Sequence, residues 1–244
     1  MQKFFNEHNS RAFILGGALI LATIIGGIFY ANKTDSKDIL TVTGSARKEV
    51  TADTVIWRTA ITRNVGYADL KSGYAQMASN LATVKSFLKA NNVADESITV
   101  QPIIMNEDWN NNGPVVQEAK RYTLSQSIEI KSADVQGITV LAQKSGELIN
   151  QGVLFQSQGL EYYYTQLADL RVSMLGDAIA DAKSRAQSMA KAGGQKVGSL
   201  QSASSGVVQV MSRGSVDVSD YGSYDTSKID KDVMVTVRAT FSVK

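Results

Sequence analysis

The stretch from Ala12 to Ala31, AFILGGALILATIIGGIFYA, holds 20 residues without a charge or a proline. As a helix rising 1.5 Å per residue it would measure about 30 Å, the thickness of a bilayer's hydrocarbon core. A cleaved signal peptide has a shorter apolar core, about 7–15 residues, with small residues before the cut. This run ends instead in Phe29-Tyr30, and Ala31 makes a poor cleavage site. A core helix of a soluble domain is seldom apolar on every face over such a length. The expectation is an uncleaved signal anchor. Lys3 and Arg11 precede it, and Lys33 and Lys37 follow. Together with the short N-terminus they place residues 1–11 in the cytoplasm and the body outside the inner membrane, facing the periplasm or cell exterior. The chain then divides into the anchor, 12–31, a polar linker, 32–38, and a body, 39–244. Ala18, Ala22 and Gly26 form a small-residue stripe suited to a partner helix, although small residues are common in spanning helices anyway.

Composition excludes several functions. Of the 25 basic and 23 acidic residues, Lys3, Arg11 and Glu7 alone precede Asn32, so the body is close to neutral. It has no electrostatic footprint for nucleic acid. There is no cysteine, hence neither a disulfide nor a thiol nucleophile. The one histidine, His8, precedes the anchor. Without imidazole the body lacks Ser-His-Asp and Cys-His catalysis and the usual zinc sites.

Periodicity supplies the elements. Ile39 to Thr43 reads as a strand ending at Gly44, and Thr54 to Arg63 as a half-buried strand with Val55, Trp57, Thr59 and Ile61 on one face. From Ala68 the spacing changes. Leu70, Tyr74, Met77, Leu81, Val84 and Leu88 form the seam of an amphipathic helix that Asn91-Asn92 can cap in the left-handed conformation. Ile98 to Met105 is a strand that Pro102 confines to an edge or bulge, and Asn106 to Gln117 is a loop with Trp109 at its tip. Arg121 to Lys131 is the next strand. Asp134 caps a helix reaching about Asn150, and Gly152 stops it. Val153 to Thr165 is a strand with a kink or bulge at Gly159. Leu167 to Ala192 is the longest helix of the body, its inward face formed by Leu170, Met174, Leu175, Ala178, Ile179, Ala182, Ala186 and Met189, and Gly193-Gly194 end it. Lys196 to Ser202 reads as a short strand, Ser204 to Ser227 as a long mobile loop, and Val233 to Val243 as a strand with alternating faces.

This order implies an α+β fold: two-layer sandwiches of mainly antiparallel sheet with helices on one face, after one N-terminal transmembrane helix. Strand-helix-strand units at about 54–105 and 121–165 have the look of a structural repeat and two lobes.

Four segments resemble the SIMPL domain family of bacterial envelope proteins. They are Thr41-Val42-Thr43-Gly44, Asp53 opening the second strand, Val93 to Pro102 (VADESITVQP), and Asp177 to Gly198 (DAIADAKSRAQSMAKAGGQKVG). The resemblance covers about 39–244. Ala52 stands where that family usually has proline, and Asn92-Val93 where it often has Gly-Ile. The resemblance implies a periplasmic or surface protein. Some members are tied to oxidative stress defence or known as immunogens, and at least one forms a large ring-like homo-oligomer. It carries over no catalytic residues.

Candidate sites are few. Asp217, Asp220, Asp225, Asp230 and Asp232 offer oxygens for Ca²⁺ without the EF-hand spacing. Glu107-Asp108 lacks the partner carboxylate that glycoside hydrolysis needs. Ser184 and Lys183 are adjacent on a helix and point apart. In Glu161-Tyr162-Tyr163-Tyr164, alternation puts Tyr162 and Tyr164 on one face and Tyr163 on the other. Gly193-Gly194 follows a helix and caps it, which is unlike a phosphate cradle. No metal or cofactor is expected. The residues selected for partner contact are Trp109, Tyr163, Tyr221 and Tyr224. The leading expectation is a non-enzymatic, membrane-anchored envelope protein that forms a homo-oligomer, with a structural or stress-protective role. Two alternatives remain: a module binding a peptide, glycan or protein through its loops, and a hydrolase using carboxylates or Ser/Lys.

Overall fold

The structure, a computed structural model, describes residues 16–27, 38–108, 120–215, 219 and 221–244. Helix α1 (residues 16–27) is the described part of the apolar run. Among the described residues no helix is long and apolar enough to cross a membrane. The remainder of Ala12 to Ala31, and Trp109, lie outside the described residues.

The body is α+β with two sheets. A four-stranded sheet has the order β1-β9-β7-β8, from β1 (Ile39–Thr51), β9 (Asp230–Val243), β7 (Val197–Ser212) and β8 (Ser223–Tyr224). A five-stranded sheet has the order β3-β5-β2-β6, from β3 (Ile98–Val100), β5 (Arg121–Ser132), β2 (Thr54–Gly66) and β6 (Phe155–Tyr163), and β4 (Ile104–Asp108) pairs with β5 beside β3. The helices are α2 (Leu70–Ala90), α3 (Val135–Lys144), α4 (Glu147–Asn150) and α5 (Leu167–Ala192). Contacts divide the chain into two compact units. One holds 183–203 and 239–244 with the chain up to Val42, and the other holds 43–182 and 204–238.

All pairings in the five-stranded sheet are antiparallel. Strands β2 and β3 therefore run the same way with β5 between them, and β5 and β6 run the same way with β2 between them. Each strand-helix-strand unit thus straddles a strand of the other, the split β-α-β arrangement. Both strand-helix-strand units build one sheet. Its core gathers Val55, Trp57, Ile61, Met77, Val84, Leu88, Leu124, Ile128, Ile130 and Leu148 beneath α2, α3 and α4. The Trp57 indole N–H donates to Ser157 Oγ at 2.9 Å, and its ring meets Phe155 edge-on. A second core joins Leu170 and Met174 of α5 to Val210, Val233 and Val235.

Several expected features hold in detail. Asp134 Oδ1 accepts the Gly137 N–H at 2.8 Å as the N-cap of α3. Asn92 has φ 62° after α2. Gly159 has φ 121°, and the β2–β6 register shifts there between Arg58 and Thr59, a bulge. Pro102 divides the expected third strand into β3 and β4, because its missing N–H breaks the ladder to β5.

Other elements differ from expectation. Strand β1 passes through Gly44 to Thr51. The helix after Asp134 ends at Lys144, with α4 a separate turn. In α2, Gly73, Asn80 and Phe87 are buried whereas Tyr74 is exposed, and in α5 Ala190 is buried in place of Met189. The largest difference is the expected loop from Ser204. Residues 204–212 belong to the 16-residue strand β7. Pairing with β9 supplies what Ser- and Gly-rich composition lacks in strand preference.

Gly44 lies against the α5 backbone. A Cβ there would fall 2.2 Å from the Ala178 carbonyl oxygen and 2.4 Å from Ala182 N. The neighbouring Ser45 N–H donates to Asp181 Oδ2 at 2.8 Å. Gly44→Ala is expected to destabilise the fold by about 1–3 kcal/mol or more in urea denaturation, since neither backbone can yield cheaply. Gly146→Ala is the control. Its φ is −56° with nothing within 4 Å of the added methyl, so it should stabilise by about 0.4–1 kcal/mol. Equal effects at the two positions would refute the close-packing account.

Candidate functional site

The face of the five-stranded sheet opposite its helices is built by alternation. With Val55, Trp57 and Ile61 turned into the core, Ile56, Arg58 and Thr62 take the other side. The register sets Arg58 opposite Glu129 of β5, and Glu161 of β6 opposite Ile56. Arg58 Nε donates to Glu129 Oε2 at 3.2 Å, and its Nη1 pairs with Glu161 Oε1. Tyr163 OH donates to Glu161 Oε2 at 2.7 Å. The Tyr163 hydroxyl first, and Arg58 second, hold the Glu161 carboxyl below its usual range. The same hydrogen bond raises Tyr163. Glu161 is thereby an ionised acceptor, unsuited to donating a proton. Such half-exposed pairs add about 0–1 kcal/mol each to stability.

The network continues through aromatic rings. Tyr163 meets Tyr224 of β8 with ring centroids 5.7 Å apart. Tyr224 OH accepts the Tyr164 N–H at 2.8 Å. Lys231 lies beneath the Tyr224 ring, 5.7 Å from its centroid, with 0% of its surface exposed. Its ammonium donates to the Asp225 carbonyl. Burial lowers the lysine, and the Asp225 charge partly offsets this. The Asp225 carboxylate accepts the Ser212 hydroxyl and the Ser227 N–H, the latter at 2.7 Å. These donors lower Asp225 to about 2. Asp232, 4% exposed, accepts the Gly214 N–H at 3.1 Å and faces Arg47 at 3.6 Å. Lys231, Asp225 and Asp232 together fasten the described parts of 213–228 to the start of β9.

Of the residues selected by sequence, Tyr163 and Tyr224 are brought together. Tyr221 is 97% exposed at the turn before Gly222. The alternation of the tyrosine run ends with the strand: Tyr162 is buried in the first core, with its OH 3.0 Å from Thr139 Oγ1, whereas Tyr164 packs on the second. Asp217 and Asp220 lie outside the described residues. Asp225, Asp230 and Asp232 are each engaged by separate donors, and no group of three or more metal-ligating side chains gathers among the described residues. Glu107 pairs with Lys120 at 2.8 Å, and Asp108 accepts the Thr123 hydroxyl at 2.8 Å. Sequence reasoning missed Arg58, Glu129 and Lys231. Alternation alone puts Arg58 on the polar face, but its partners follow only from the β5 and β6 registers.

A second feature is the long outer edge of β7. Strand β8 covers only Gln209 and Val210 of it. From Val197 to Val208 it has no strand partner on that side among the described residues. The sequence VGSLQSASSGVVQVMS carries neither charge nor proline.

A split β-α-β sheet on whose polar face Arg58 pairs with Glu129 and Glu161, together with a helix-backed second sheet, defines an α+β body. The chain belongs to the SIMPL family, described as proteins of unknown function (DUF541), which it matches over residues 40–241. No curated protein matches the chain.

The folded pKa of Asp225 lies below its free value of 3.8, so the Asp225 latch contributes stability that is complete above about pH 4 and is lost as pH falls through about 2. Near-UV circular dichroism of the tyrosines should show that loss, and Asp225→Asn should remove the corresponding part of the pH dependence. Superimposable acid titrations of the two proteins would refute the latch.

Proposed function

We propose that this chain is a membrane-tethered, non-enzymatic envelope protein whose body self-associates in a structural or stress-protective role. The observation that carries self-association is the bare, uncharged edge of β7, since exposed edges without protection are templates for pairing with another chain. The tether is supported by the uninterrupted run Ala12 to Ala31 and by α1, where Leu19, Ile20, Leu21, Ile24 and Ile25 are all more than half exposed. A non-enzymatic role is favoured by a body without cysteine or histidine, by the pairing of Arg58 with Glu161, and by the bond from the buried Lys231 to the Asp225 carbonyl. A binding module is the second reading, favoured by the 97% exposed Tyr221 close in sequence to Tyr224, whose ring meets Tyr163.

The full chain is expected to stay with membranes through alkaline carbonate extraction, whereas a chain lacking residues 1–31 is released. Extraction of both would overturn the tether. In detergent, light scattering of the full chain should give a protein mass above that of one copy. A strictly monomeric mass at high concentration would overturn self-association.

A further inference from the structure

Resting on the self-association reading, we infer that the surface involved is the β7 edge, and that its occupant is β7 of a second copy, paired antiparallel about a two-fold axis. The case comes from comparing the sheet edges. Natural edges are protected by charge, proline, brevity or a covering group. Strand β1 carries Arg47-Lys48-Glu49, and its Ser45 N–H is taken by Asp181 of α5. Strand β6 is closed at Tyr162, whose N–H donates to the Thr226 carbonyl at 2.8 Å. On the far side of the five-stranded sheet β3 spans three residues, Pro102 follows it, and β4 carries Glu107 and Asp108. Strand β7 carries no charge or proline of its own, and between Val197 and Val208 it meets the Arg171 guanidinium, 3.2 Å from Ser205 Oγ, and Gly222 beside Val208 at the end of the window.

This asymmetry selects the geometry. Head-to-tail strand pairing needs two different open edges, and the described residues offer one. An isologous contact needs the same edge twice. The absence of charge means that antiparallel self-pairing sets no like charges opposite each other. Ser199, Ser202, Ala203, Ser204, Ser205 and Gly206 are small enough for strands to approach to about 4.8 Å.

The register is constrained as well. A two-fold axis normal to the sheet keeps each side chain on its own face. Residues opposite one another in an antiparallel pair share a face. One residue must therefore lie opposite its own copy. Because β8 occupies the strand from Gln209 onward, the open window is Val197 to Val208, and its centre puts that residue at Ser202 or Ala203.

The chain has no cysteine, so single cysteines can be read directly. Ser199→Cys, Ser202→Cys, Ala203→Cys and Ser205→Cys would be made in the full chain in detergent, then oxidised mildly. A cross-linked dimer is expected at 202 or 203 and not at 199 or 205, because only opposed Cβ atoms come within disulfide reach. In parallel, S202K/S204K places charges at exposed positions, leaves the core intact, and should reduce the mass seen by light scattering to that of one copy. A self-associating wild type that the lysines leave unchanged, or that cross-links equally at all four positions, overturns the β7 two-fold while leaving self-association standing. A monomeric wild type overturns both.

Discussion

The contact between Gly44 and α5 is the constraint on which the second core depends. Here a strand meets a helix backbone to backbone: the site of the missing Cβ is 2.2 Å from the Ala178 carbonyl, and Ala178 and Ala182 are both fully buried. Side chains larger than alanine on α5, or larger than hydrogen at Gly44, would hold the two elements apart. The Ser45 N–H reaching Asp181 Oδ2 adds a directional bond to this packing. It also satisfies a donor that an edge strand would otherwise present to solvent. The Thr-Val-Thr-Gly and Asp-Ala-Ile-Ala-Asp-Ala segments, both part of the resemblance to the family, therefore touch. Their composition follows from that contact: glycine and alanine for proximity, aspartate for the bond.

The two departures from the family pattern are accounted for by backbone chemistry. Ala52 donates its N–H to the Ile229 carbonyl at 2.9 Å, a bond that proline at this position would lack. Asn92 takes φ 62°, the left-handed conformation that glycine adopts freely and asparagine tolerates better than most residues. The turn after α2 thus keeps the geometry suited to glycine while using another residue.

Much of the fold was legible because local rules and tertiary structure agree. The seam of α5, the cap at Asp134, the bulge at Gly159 and the alternation of β9 all follow from spacing and from glycine or aspartate placement. Where they disagree, pairing prevails over composition. Gly44 has the appearance of a strand terminus and is instead a contact inside one. Ser204 to Ser212 has the composition of a loop, but pairing in the sheet makes it part of a strand. The candidate site was only partly legible, for a related reason. Tyr163 and Tyr224 stand out as aromatics, but Arg58, Glu129 and Glu161 become a network only through registers that join residues about 30 to 100 positions apart in sequence. Lys231, next to two aspartates at a strand start, has the pattern of a solvated residue. Its burial is compensated because Tyr224 covers it and the Asp225 carbonyl accepts a hydrogen bond from its ammonium.

The proposed tether and the proposed β7 pairing, taken together, would limit how two copies can be arranged. Helices that cross one bilayer in the same sense are related only by an axis normal to that bilayer, because any two-fold in its plane would invert one of them. An isologous strand contact places its axis normal to the sheet at the junction. If both conditions apply to the same dimer, the two axes coincide, and the four-stranded sheets lie along the membrane surface instead of standing away from it. The short linker agrees with this arrangement. The Asp38 carbonyl already accepts the Val243 N–H at 2.8 Å, so the body begins there. The residues between it and Ala31 reach at most about 25 Å when fully extended. A sheet lying flat keeps both copies of β1 within that reach, whereas one standing on edge would carry the β7 junction away from the bilayer and tilt the shared axis out of its normal.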